Sequence, residues 1–403
     1  MTQFVVRAMR TFAFSVLSFS PFTFANIDTD AFSQCQQRFE QRAVAQEFSS
    51  DILSIIQDLS PVQRVITLDK RQPEFAQSFA QYVKKRVSQY HINKGRQLLK
   101  SHKKLLAQLQ QQYHIPPQYL VSFWGLETVF GKHKGKMPIL NSLATLACDQ
   151  RRSEYFTGEL FTLFRLIDQD VVTKEQLKGS WAGAMGHMQF MPSALKKYAV
   201  DGDNDGKIDV WQSEIDALTS AANYLHQIGW QGNERWGREV LLPDDFDFSA
   251  IEFDTRYPLA TFAQMGVKQT NGQPLPQYKT QAELVLPNGH QGHAFLVYQN
   301  FSVIMKWNLS KNYALSVGIL ADKLVGAKGV RSLANAQPLP YSRTQLEKLQ
   351  ARLNELGFNT GEPDGIWGPN SRKAIREFQL KQNLVADGFP NTEVFKHLGL
   401  LQS

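Results

Sequence analysis

Three things are scarce in this 403-residue chain. The first is a long apolar run. The N-terminal stretch from Thr11 to Phe19 falls far short of the ~20 residues that a membrane-spanning helix needs, and no later segment is apolar enough to span, so no transmembrane anchor is expected. The second is clustered basic charge. With no basic block and no recognised motif, nucleic acid is not an expected partner. The third is cysteine, with only Cys35 and Cys148 present. In an oxidising compartment such a pair is readily a disulfide, and otherwise two buried thiols; the residues leave both open.

What is present describes a folded, multi-part protein. Hydrophobic residues make up 42% and charged residues 20%, which sets aside disordered and collagen-like classes. The length exceeds what one core usually fills, so two or three domains are expected. Arg7 and Arg10 precede the short apolar run, no acid comes before Asp28, and Pro21, Thr23 and Ala25 follow. That is an export-signal pattern with cleavage after Ala25, which implies a soluble protein of the periplasm. No cysteine stands at the cleavage point to carry a lipid. Removal of residues 1–25 lowers the formal charge from +7 by the two arginines, a mild basic excess that suits an anionic surface.

Residues Ala31 to Leu109 and Gln118 to Asp170 carry helical spacing. Between Val240 and Phe301 prolines and glycines become frequent. There Ala282–Leu286 and Ala294–Tyr298 read as strands joined by a turn at Asn288–Gly289. Helix returns at Tyr313–Val325. The expected class is therefore α+β, mainly helical, with a small strand-containing insertion. Residues 331–342 lie in a Gly/Pro/polar linker. Beyond it, Leu346, Leu349, Leu353 and Leu356 mark one helical face closed by Gly357. Ile375 and Phe378 mark a second helix, and Thr392 to Leu398 a third. A unit of residues 343–403 holds only a small core and reads as a binding accessory to the body at 26–330.

Two carboxylate patterns carry chemistry. In DGDNDGKID, Asp201, Asp203 and Asp205 occupy alternating positions of a calcium-type loop, Gly206 makes the turn, and the Lys207 carbonyl would supply a further oxygen. Gln212 stands where a bidentate Glu usually closes the shell, so Glu214 or Asp216 would have to complete it. In PPQYLVSFWGLETVFGKHKG, Leu120, Phe123, Trp124 and Glu127 share one helical face. A carboxyl on an apolar face is desolvated and its pKa should rise, as a general acid for glycosidic cleavage requires; a buried Glu paired to an Arg is the alternative. Nearby lie Arg151, Arg152 and Tyr155 in CDQRRSEYF, and Ser180, Met188, Gln189 and Phe190 in GSWAGAMGHMQFMPS. These offer aromatic, thioether and amide surfaces suited to sugar rings, although core packing also explains some of them.

These segments, together with YAVDGDNDGKIDVW, ANYLHQIGW and NFSVIMKWNLSKNYALSVGILAD, resemble the lytic murein transglycosylase B family of lysozyme-like enzymes. The likeness covers most of residues 31–326. DGIWGPNSRKAIREFQ with LVADG resembles the three-helix peptidoglycan-binding domain, with Ser371 where Thr is more usual. The resemblance implies a lysozyme-like catalytic domain acting on the β-1,4 bond between N-acetylmuramic acid and N-acetylglucosamine. It implies Glu127 as the single acid/base, Ser180 beside it, and a glycan groove lined by Arg151, Arg152, Tyr155, Met188, Gln189, Phe190, Tyr224, Trp307, Asn308 and Tyr313. Trp307 replaces the family's usual Tyr, keeping an aromatic wall without the hydroxyl. For the metal loop, the resemblance implies calcium or sodium held by Asp201, Asp203, Asp205, Lys207 and Asp216. No cofactor for the chemistry is implied. A water-using muramidase, with Glu154 or Glu159 as second acid, and a non-catalytic wall-binding scaffold are the rival readings.

Overall fold

The computed structural model describes residues 29–71, 78–331 and 341–401. The proposed export signal and most of the linker lie outside them.

A helical body is built around Pro117–Thr128. Pro117 opens this helix at its first position, where no amide bond is lost. Nearly every residue from Tyr119 to Leu126 is buried, so the helix is apolar all round rather than along one stripe. It packs between helices Gln89–Ser101, Lys103–Tyr113, Glu214–Gln227 and Lys311–Leu324. Its C-terminal end is unusual. Val129, Phe130 and Gly131 take φ of 53°, 59° and 82°, a left-handed run that is costly for the β-branched Val129. The reversal folds Phe130 back under Gly125, where a Cβ would stand 2.9 Å from the ring. Cys35 and Cys148 form a disulfide that ties helix Thr29–Ala45 to the end of helix Ile139–Ala147, the first of the two alternatives above.

Two-residue strands β1 (Met137–Pro138) and β2 (Lys178–Gly179) form a small ribbon. The remaining strands are β3 (Gly237–Leu241), β4 (Tyr257–Pro258), β5 (Lys268–Gln269), β6 (Gln281–Val285) and β7 (Ala294–Val297). They make one antiparallel sheet in the order β4-β6-β7-β3-β5. Alternation divides its faces. Val285, Phe295 and Val297 join the helical core, while Ala282, Leu284, Ala294 and Leu296 join a second core with Phe262 and Tyr298. The β6–β7 pairing agrees with expectation, and Gly289 adopts φ 70°. The connection is longer than a two-residue turn because it has another task, described next.

Helices Arg343–Glu355, Pro369–Lys381 and Thr392–His397 form the C-terminal unit around Leu346, Leu349, Leu353, Ile375 and Phe378. Leu356, expected on that face, caps the first helix and is 41% exposed. The unit is docked on the sheet rather than tethered beside it. Arg376, almost fully buried, donates to the carbonyls of Phe248 and Ile251 and to Glu252. In the β6–β7 connection, His290 donates through its backbone amide to buried Asp387 and pairs with the same oxygen through Nδ1. Ala386 joins the sheet's own core. No helix of the described residues is long and apolar enough to cross a membrane.

Candidate active site

Glu127 is half-buried near the end of helix Pro117–Thr128, the one residue from Tyr119 to Thr128 that is not buried. One of its carboxylate oxygens, Oε1, accepts from two donors. The Tyr313 hydroxyl stands 2.5 Å away and the Trp307 indole N–H 2.9 Å away. Burial and the adjacent Glu127 charge raise the Tyr313 pKa well above its ordinary value, so the phenol stays neutral and donates. Trp307 therefore restores, through its N–H, a polar contact that the missing hydroxyl at this position had put in doubt. An indole can only donate, so this contact is one-directional.

Around these groups lies an aromatic wall. Trp307 stacks on Tyr224 at 4.8 Å, and Tyr224 on Tyr198 at 4.2 Å. Phe123 and Phe190 pack against Trp307 from other sides at 4.8 and 5.6 Å. Tyr224 and Trp307 keep part of their surface open, whereas Phe190 is 2% exposed and backs the wall from within. Met188 is fully buried; the expectation that it lines the groove is corrected, because it faces the core beneath the loop.

The loop of residues 179–190 is held by its own polar groups. Ser180 Oγ accepts from the amides of Ala182 and Ala184. Gln189, at φ 52°, donates to the carbonyls of Lys134 and Gly186. Both residues are thus given loop-bracing roles, and Asn308 likewise accepts from the Ser310 amide at the head of the last body helix. Arg151 and Arg152 converge on buried Asp69 and leave much of their side chains exposed; sequence reading did not single out this partner. Tyr155 is exposed, and partial desolvation with the nearby Glu159 pushes its pKa up to about 12. Of the two candidate second acids, Glu159 is buried and accepts from the amide and hydroxyl of Ser193. Glu154 lies exposed in the first turn of its helix.

A network missed by sequence reading links this site to the acidic loop. Trp124 donates to His187 Nδ1, Thr128 Oγ donates to the His187 carbonyl, and the His187 amide donates to Val210. Lys134 donates to the Trp211 carbonyl. Burial, then Lys134, lowers the His187 pKa.

In the acidic loop the carboxylates of Asp201, Asp203 and Asp205 bring ligand atoms within 4.8 Å of one another. Burial works to raise the Asp201 pKa, but the amides of Gly206, Asn204 and Asp205 outweigh it and hold it low. Convergent hard carboxylate oxygens suit calcium or sodium. Asp216 is not in this group. Its two oxygens accept from the amides of Gly202 and Asp209, so it braces the loop from inside. Its pKa is raised by burial and by Asp203 and Asp201. Glu214 is also engaged elsewhere, with His102 at 2.8 Å.

Residues 31–322 match the Transglycosylase SLT domain family, and residues 342–398 match the peptidoglycan binding domain family. Membrane-bound lytic murein transglycosylase B of Escherichia coli (strain K12) is 34% identical over 257 residues, covering 62% of this chain and 68% of that protein. SltB3 from Pseudomonas aeruginosa in complex with NAG-anhNAM-pentapeptide is 38% identical. It superposes with a TM-score of 0.85 over 91% of this chain and 99% of its own. Escherichia coli Slt35 in complex with calcium is 31% identical, with a TM-score of 0.62 over 72% and 92% of the two chains.

Proposed function

The chain belongs to the Transglycosylase SLT domain family and is a lytic transglycosylase of peptidoglycan; within that activity we propose that Glu127 alone performs both proton transfers. As the acid, Glu127 protonates the oxygen linking N-acetylmuramic acid to N-acetylglucosamine, and that bond breaks. As the carboxylate, it then takes the proton from the muramyl C6 hydroxyl, whose oxygen closes on C1 to give a 1,6-anhydro ring. The proton is returned, no water is consumed, and the enzyme ends as it began.

The observation that carries this reading is the pair of donors on a single oxygen of Glu127. Neutral Tyr313 and donor-only Trp307 both donate to Oε1, which therefore acts as an acceptor. The same donors favour the carboxylate that must form in the next instant. Tyr155, Tyr224, Trp307 and Asn308 would orient the sugars from the wall, with Arg151 and Arg152 at the edge toward Asp69.

Asp201, Asp203 and Asp205, with the Lys207 carbonyl, would hold a calcium or sodium ion that closes the loop and takes no part in bond cleavage. The C-terminal unit would bind the wall. Export to the periplasm is supported by the N-terminal pattern and by the Cys35–Cys148 disulfide, which suits an oxidising compartment.

Mass analysis of muropeptides released from purified sacculi tests the proposal. Anhydromuramyl ends, lighter by one water than reducing ends, are expected. Reducing ends would make the enzyme a hydrolase and send the search for a second acid to Glu154 or Glu159.

A further inference from the structure

Between the C-terminal unit, the sheet and the end of helix Gln299–Trp307 lies a pocket of about 210 Å³. Its walls are largely apolar, with Phe79, Val285, Met305 and Trp367 among them. Leu309, at its rim, is 85% exposed.

Its charges are unevenly matched. Asp254, Lys311 and Arg372 line it, and Lys311 is paired with Asp254 and with Glu283 behind the wall. Arg372 has no such partner. Its guanidinium stacks 4.5 Å over Trp367, its Nε is buried without a hydrogen bond, and among the described residues it makes no ion pair. Burial lowers its pKa, opposed at longer range by Asp254, Glu283 and Asp387; an arginine nevertheless keeps its charge. Arg372 lies in the first turn of helix Pro369–Lys381, whose N-cap, Gly368, offers no side chain to the open amides. A long side chain there leans back toward the helix start. Guanidinium and helix N-terminus thus bear on the same space, and both favour an anion.

The pocket and the catalytic groove draw on one chain segment, residues 305–313. Met305 lines it two residues before Trp307, and Asn312 lines it one residue before Tyr313. The separation is therefore on the order of one helix diameter, ~10 Å. An extended peptide of five residues spans roughly 17 Å. A volume below the ~300 Å³ of a typical ligand site admits the end of a peptide rather than a sugar.

We propose that this pocket receives the C-terminal carboxylate of the peptide stem carried by the muramyl sugar in the groove, with Arg372 as its partner. The proposal rests on the transglycosylase reading for the position of that sugar. It gives the docked unit a share in recognising the same repeat that the body cleaves.

The test uses native full-length protein and two probes, NAG-anhNAM-pentapeptide and its C-terminal amide, with binding measured by calorimetry. Amidation should weaken binding about tenfold, the size of one lost charge-assisted contact. Arg372→Gln should bind both probes equally, at the weaker level. Equal affinity of the native protein for the two probes overturns the proposal, and this arm does not depend on whether the variant folds. A tenfold preference that persists in Arg372→Gln also overturns it, by putting the carboxylate elsewhere. The transglycosylase reading is judged separately, from anhydro ends released by native protein from peptide-free glycan.

Discussion

Glu127 and the Asp201–Asp205 loop are both carboxylate sites, and they are built on opposite plans. Glu127 sits in an aromatic surround and accepts from two donors on Oε1. The loop gathers three acids that are mostly exposed, with no aromatic among them. A single desolvated acid can exchange a proton with a substrate, whereas several solvated acids repel one another until a cation joins them. The number of carboxylates is therefore a poor guide to chemistry; their solvation and donors decide it.

The contrast predicts opposite outcomes for one substitution at each site. Glu127→Gln should fold normally and lose activity by at least ~10²–10⁴-fold, the usual worth of acid/base catalysis. Asp203→Ala should do the reverse, lowering the melting temperature while sparing turnover measured well below it. Turbidity loss of sacculi and thermal melts on both variants would check this pair. A Glu127→Gln enzyme with activity near native would show that Glu127 is not the acid/base.

The donors come next in size. Trp307→Phe and Tyr313→Phe each keep a ring and remove one hydrogen bond to Glu127. Each should lower kcat on a soluble glycan about tenfold, and Trp307→Tyr should recover most of the loss. If Trp307→Phe behaves like native protein, the indole contributes packing alone.

For the loop, a chelator should lower the melting temperature by roughly 5–11 °C, with calcium restoring it. Saturation at a hundred times Kd stabilises by ~2.7 kcal/mol, and a large domain shifts by ~2–4 °C per kcal/mol. Asp203→Ala should not respond to calcium.

The smallest effect sharpens the border between the regions, where His187 touches both. Its folded pKa is lowered, so below its unfolded value of about 6.5 the unfolded chain takes up a proton first. Stability should thus hold above pH 6.5 and fall as pH drops from there toward the folded value, by at most ~1.4 kcal/mol per unit. His91 is shifted the same way, so the slope of native protein should be compared with that of His187→Gln, which should be shallower. Equal slopes would show that His187 does not set the pH dependence of stability.

Glu127 was legible because an acid within an apolar helix is conspicuous in any sequence. Its hydrogen-bond donors were not, since they arrive from 180 and 186 residues away; only the resemblance named Trp307 and Tyr313. The three loop acids were legible from spacing alone, but the fourth position was not. Spacing does not show how a further acid such as Asp216 is engaged, here by accepting the amides of Gly202 and Asp209. Met188 failed for a similar reason, as small and sulfur-rich loops serve cores and grooves alike. The three C-terminal helices followed from periodicity and turn residues. Their docking did not, because Arg376 and Asp387 look like ordinary surface charges until the sheet's carbonyls and His290 are brought to them.

If one carboxyl does both proton transfers, the substrate and not water supplies the nucleophile. Digestion of peptidoglycan in water enriched in heavy oxygen tests it directly. The muramyl ends released should carry no label, because the ring oxygen comes from the sugar's own C6 hydroxyl. One heavy oxygen per cleaved bond would show instead that water attacks and that a second base takes part.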